Sequence, residues 1–280
     1  MKKIGILIGC LCLASGAFAQ DHLHNFQMAY EASYYKYKEP GTMSLRARPK
    51  QGVSAVYTRR SVLSGDVNED DPSFFSIDFR YMTGDVDYDG ARQNGTPLQV
   101  DNLRDYYFET GLRLGSVYSL SQQWELWPYM GVGWRRLRNH LEESGMGGYM
   151  RQSTYWYLPL GFSTRYHQSG WNLVLNGEFD WLLSGTQYSG PVESGDPLVG
   201  KLSGNDNKQN DGYGVRVSFK VQRDMGKVGL FVEPFWRYWH IQNSNIGAKE
   251  LVNYPGLYLD GFYEPKNYTS EYGVKVGLAF

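Results

Sequence analysis

The chain has 280 residues, 41% hydrophobic and 16% aromatic, with 33 glycines and a formal net charge of −1. Lys and Arg number 28 against 29 Asp and Glu, so no basic excess points to nucleic acid. Mean hydropathy is −0.49, and no apolar run after residue 19 is long enough for a transmembrane helix.

Residues 1–19 predict a secretory signal peptide: Lys2 and Lys3, an apolar run from Ile4 to Leu13, then Ala17-Phe18-Ala19 before Gln20. Leu7-Ile8-Gly9-Cys10 loosely matches a lipoprotein cleavage box but comes too early in the segment. The mature chain, 20–280, reads as one domain, and losing Lys2 and Lys3 takes the formal net charge from −1 to −3. Both cysteines, Cys10 and Cys12, lie in the signal segment, which leaves the mature chain without disulfides or thiol chemistry.

Ten segments then alternate apolar and polar side chains: about 25–38, 51–63, 73–84, 104–118, 124–138, 151–168, 171–185, 210–223, 228–242 and 269–280. Each exceeds the ~9–11 residues a tilted strand needs to cross a bilayer, so several should project beyond it. Short turns near 64–72, 119–123, 169–170 and 224–227 alternate with long loops near 39–50, 85–103, 139–150, 186–209 and 243–268. That alternation predicts periplasmic turns, extracellular loops and periplasmic termini. The fold class that follows is all-β: a single antiparallel transmembrane barrel of about ten strands. Eight or twelve are the alternatives, since 243–268 could hide a short hairpin.

Trp124 and Trp134 lie ten residues apart on one strand, as do Trp171 and Trp181 on another. Ten residues of tilted strand rise roughly 25 Å, the height of the lipid-facing band, so the pairs predict two aromatic girdles. Taking the apolar parity as lipid-facing assigns seven acids and nine bases to the lumen: Glu31, Asp78, Glu109, Glu178, Asp180, Glu233 and Glu271 with Arg60, Arg80, Arg113, Arg135, Arg165, Arg216, Lys220, Arg237 and Lys275. Lone buried charges are costly, so these should pair or stay hydrated. A barrel this narrow, with rings such as Tyr107, Tyr155 and Tyr157, should be largely closed by a salt-bridged plug. A small selective channel through the same charges is the alternative.

Chemistry or binding would sit at the rim. Asp85-Val-Asp87-Tyr-Asp89-Gly90 is the first half of an EF-hand loop, so Asp85, Asp87 and Asp89 are a candidate calcium site, although the twelfth position is Thr96 instead of Glu. No other cofactor is implied. Of the five histidines only His140 and His240 should be extracellular. With Asp85 or Asp87 either could supply a general base for a rim hydrolase. No HExxH or GxSxG is present.

The last stretch, Thr269–Phe280, places Tyr272, Val274, Val276, Leu278 and Phe280 on one parity. This ending resembles the closing strand of bacterial outer-membrane barrels. Two wider resemblances follow. Tyr157–Trp181, Asp211–Val221 and Phe231–Trp236 resemble sections of the omptins, ten-stranded outer-membrane proteases. That resemblance implies an acidic pair in the second extracellular loop, where Asp85 and Asp87 could stand, and a His–Asp dyad at the start of the fourth. Here that fourth-loop stretch, Ser184–Pro191, has no histidine. The same architecture resembles the Opc-type adhesins, which are not enzymes. Asp211–Val215, Val232–Ile241 and Glu264–Asn267 resemble an uncharacterised family of Gram-negative outer-membrane barrels. This last resemblance implies location and fold but no function. The long loops, rich in Gly, Asp, Asn and Tyr, place surface binding or adhesion by a monomeric barrel first, with outer-membrane lipid and an extracellular ligand as partners, ahead of the rim hydrolase and the small channel.

Overall fold

The computed structural model describes residues 24–47, 49–61, 73–91, 95–145 and 148–280. The predicted signal peptide and the turn at 64–72 lie outside the described residues. Ten strands wind antiparallel in chain order: β1 (His24–Glu39), β2 in two pieces (Met43–Ala47 and Lys50–Ser61), β3 (Ser73–Ala91), β4 (Pro97–Ser116), β5 (Trp124–His140), β6 (Met150–Gln168), β7 (Trp171–Ser189), β8 (Gly212–Met225), β9 (Val228–Ile241) and β10 (Asn267–Ala279). Each pairs with its chain neighbours, and β1 pairs β10 from Gln27↔Ala279 to Lys38↔Tyr268, so the sheet closes without a free edge. Closure matters because unpaired backbone groups cannot be tolerated in lipid.

At one end the turns are short. Ser169 and Gly170 both take positive φ (49° and 75°), the two-residue geometry that matches strand twist. Around the waist, alternate side chains face outward and are apolar: Ile77 and Phe79 on β3, Leu112 and Leu114 on β4, Leu160 and Phe162 on β6, Val274 and Val276 on β10. A continuous girdle of this kind is far larger than the patch a soluble monomer leaves exposed. Trp124, Trp171 and Trp181 are outward and exposed, and Trp134 shares the outward parity, packed on Phe108.

Two of the predicted long loops are strand instead. Residues 39–47 fold as a tight turn about Gly41 (φ 80°) leading into β2. Residues 85–103 continue β3 and β4 as a paired ladder as far as Ala91↔Pro97. The physical reason is that alternation persists but its polarity inverts. Below, β3 puts Phe75, Ile77 and Phe79 outward and Asp78 and Arg80 inward. Above, it puts Met82, Val86 and Tyr88 inward and Asp85, Asp87 and Asp89 outward. The projecting part therefore has water outside and an apolar core inside, built from Tyr35, Leu45, Met82, Val86, Leu98, Val100, Leu103, Leu137 and neighbours. The last long loop does contain a hairpin, Gly247–Glu250 paired with Tyr258–Phe262, as a separate two-stranded sheet that adds no wall to the barrel.

Candidate functional site

Inward positions of the lower and middle barrel carry the charged set, and strand register brings distant residues together. Glu109 on β4 is the centre. Arg237 reaches it at 3.0 Å, Arg135 at 3.4 Å, and Arg80 and Arg216 at 3.5 Å. Arg80 also holds Glu31 (2.6 Å) and Glu271 (2.9 Å). Arg216 holds Asp180 (2.6 Å) and Glu178 (3.3 Å). Arg113 joins Glu178 (2.7 Å) and Asp78. Lys275 pairs with Glu233 (3.1 Å) and Arg60 with Glu125 (2.6 Å). Arg165 and Lys220 line the same lumen with no carboxylate at ion-pair distance among the described residues. Above this network lie the wholly buried rings of Tyr107 and Tyr157 and the nearly buried Tyr155 and Trp239. The slot for Tyr157 exists because β5 has Gly133 there: a Cβ would stand 2.1 Å from the ring.

Two further polar clusters sit in the projecting part, joining Glu39, Lys50, Asn139 and Glu264, which sequence reading assigned to loops, with Tyr37, Asp105 and Arg151 on the strands. Lys50 is wholly buried, donates to Asp105 and lies 4.0 Å from the Tyr35 ring centre, while Asn139 donates to the same carboxylate. Arg151 is clamped between Glu39 and Glu264, and the Tyr37 hydroxyl donates to both acids (2.8 and 3.1 Å). Burial and the facing Glu39 raise the Glu264 carboxyl to about 7 despite Arg151. Carrying the inward parity of Tyr35 and Tyr37 one step further on β1 reaches Glu39, while Glu264 lies outside any strand and no alternation marks it.

The candidate metal residues do not converge. Asp85, Asp87 and Asp89 occupy alternate positions of an extended strand, where neighbours on one face stand roughly 7 Å apart, so they do not wrap one cation. Asp87 instead accepts the amide of Asn102 (3.1 Å), where β4 bulges with Asn102 at φ 61°. The hydrolase constellation is not assembled either. Asp85 faces Arg104 across the ladder, and Arg104 pairs with Glu143. His140 is buried on the outward side, its Nδ1 2.8 Å from Glu142 and its ring on Tyr106. His140, Glu142 and Glu143 are the one group among the described residues close enough to share a metal ion, and Arg104 already supplies a cation there. His240 also faces outward, stacked on Tyr268 at 4.7 Å and edge-on to Tyr213. In the stretch 184–191, Gln187 points inward and accepts from Ser153.

Exposed apolar groups also lie beyond the barrel wall. The 247–262 hairpin packs on a second one, Val192–Glu193 with Lys201–Leu202, through Val192, Leu202 and Leu251. Leu202 bridges to Leu251, and Val252 N–H donates to Lys201 C=O. Lys249 is buried between the Tyr149 and Phe262 rings and donates to Gly190 C=O (3.2 Å). On this anchored base the tip holds Tyr254 51%, Leu257 58% and Tyr258 61% exposed.

A closed ten-stranded antiparallel wall with an apolar belt and a charged bore leaves one assignment. The fold is that of a bacterial outer-membrane β-barrel. The structure is similar to the outer membrane protease OmpT of Escherichia coli, with a TM-score of 0.60 and 13% identity over 94% of this chain and 98% of that one. At that identity the likeness concerns the fold alone. Weaker overlaps link it to the translocator domain of the autotransporter NalP of Neisseria meningitidis (TM-score 0.40, 10% identity, 96% of this chain and 94% of that). A third is Ail, the attachment invasion locus protein of Yersinia pestis (0.33, 8%, 92% and 99%). Neither of these two carries weight for function. No protein-family model matches the chain, and no curated protein matches it in sequence.

Proposed function

We propose that this barrel is a surface binding or adhesion protein, its long-loop end facing outward from the cell and its short turns facing the periplasm. The observation that carries this reading is the apolar tip of the last loop. Tyr254, Leu257 and Tyr258 stay exposed while the hairpin beneath them is fixed by its own small core. Aromatic and aliphatic groups held rigid on a scaffold are what a binding surface uses, because little conformational entropy is lost on contact. The channel reading is weaker, since rings and ion pairs fill the bore. The hydrolase reading is weaker still, because neither outward histidine shares a cleft with Asp85 or Asp87. A monomer suits the reading, as every barrel edge is already paired.

The test compares cells displaying the wild-type barrel with cells displaying a Tyr254→Ser/Leu257→Ser/Tyr258→Ser variant. Adhesion is scored on immobilised extracellular-matrix proteins and on a second bacterial population. A several-fold loss is expected, with normal heat-modifiable migration showing an intact barrel. Wild-type adhesion no better than empty cells, or equal adhesion by the variant, refutes the proposal.

A further inference from the structure

At the short-turn end the lumen widens into a cavity of about 630 Å³, continuous with a deeper one of about 200 Å³. Gln27, Thr58, Arg165, Val174 and Lys220 line both. Seven of the nine lumen bases have a carboxylate partner. Among the described residues Arg165 and Lys220 are the two that do not. Their neighbouring acids are engaged elsewhere. Glu125, which faces Arg165 across the ladder, takes Arg60 at 2.6 and 2.7 Å and the Trp127 indole at 2.9 Å. Glu233 takes Lys275. Asp224 accepts from Asn172 (2.6 Å) and Gln222 (2.7 Å).

The two free cations are placed to act together. Arg165 pairs with Val174 across β6 and β7, and Val174 pairs with Lys220 across β7 and β8, so all three share one row. Adjacent strands stand ~4.8 Å apart, which sets the two basic residues roughly 10 Å apart at Cα with a short side chain between them. Arg165 is braced 3.4 Å from the Trp127 ring centre, and its Nε is buried without a hydrogen-bond partner. Among the described residues Lys220 Nζ donates only to the amide oxygen of Gln27 (2.9 Å). A cation withdrawn from water without a counter-charge is costly, and a guanidinium and an ammonium lining one cavity suit an oxyanion. We propose that this cavity binds a small soluble anion bearing a phosphate or carboxylate, held between Arg165 and Lys220. Ten strands wall it from lipid, and its volume suits a small-molecule ligand.

The test is calorimetric titration of the full barrel, in a maltoside detergent, with inorganic phosphate and separately with acetate. Saturable binding of at least one is expected, weakened about tenfold or more by Arg165→Gln and by Lys220→Gln. The exposed Arg223→Gln should leave it unchanged. Because removing a lumen cation could disturb the fold, Val174→Glu provides a second reading. It sets a carboxylate between the two cations and should abolish anion binding while raising the melting temperature. No saturable binding of either anion by the wild type, or equal binding by Arg165→Gln, Lys220→Gln and Val174→Glu, overturns the proposal.

Discussion

Glu109 shows how this barrel uses charge at the scale of one residue: four arginines from four strands converge on one carboxylate. Such a hub gives geometric specificity more than net stability, because desolvating the ions offsets most of their attraction. Glu264, outside the apolar belt, allows a sharper statement. Its carboxyl is raised to about 7 by burial and by Glu39, against the pull of Arg151. The folded state therefore holds a proton that the unfolded state releases near the ordinary carboxylate range. Stability from this group is full below that range and is lost as pH rises through about 7. Melting temperature of the purified barrel, followed from pH 4 to pH 8, should fall more steeply for the wild type than for Glu264→Gln. Parallel profiles would show that the carboxyl titrates normally.

Elements explain why sequence reading found ten strands yet misjudged what lies beyond them. Alternation marks a strand wherever it occurs, so Ser73–Gly84 and Trp171–Gly185 were legible as walls. Lipid-facing parity was inferred from apolarity, which holds only inside the membrane. Above it, Asp85, Asp87 and Asp89 took the outward side because water had replaced lipid. The pattern that suggested a cation loop is thus a strand with a solvated face. Packing within an element is equally specific. Gly133 vacates the slot that Tyr157 fills. Gly133→Val should destabilise the barrel by about 1–3 kcal/mol through overpacking, while Val132→Leu on the outward face should cost little. Thermal unfolding of the heat-modifiable form in detergent distinguishes them, and an equal midpoint for Gly133→Val and wild type would remove the ring from the plug.

For the whole molecule, ion pairs fill the middle of the bore and rings and an apolar core fill the top. Charged lumen residues in a wide barrel make a pore, whereas here all but Arg165 and Lys220 among the bases pair with a carboxylate beneath the rings of Tyr107, Tyr157 and Trp239. Planar-bilayer recordings should show no large stable conductance steps. Regular steps of porin size would mean that the plug moves aside and would restore the channel reading.

Local pattern alone determined the β-barrel class and located about ten strands, with eight or twelve left open, because alternation follows from a period of two. Which charges pair was decided only by closure. Arg80 meets Glu271, and Arg216 meets Glu109, across 191 and 107 residues of chain, and no local signal encodes a contact made across a bore. Closure also left Arg165 and Lys220 without a carboxylate at ion-pair distance among the described residues. Tertiary structure likewise decided the pairing of Glu39, Arg151 and Glu264, and the loop hairpins that present Tyr254 and Tyr258. Their neighbours come from distant turns of the wall, so their burial and charge existed only once the sheet had joined β10 to β1.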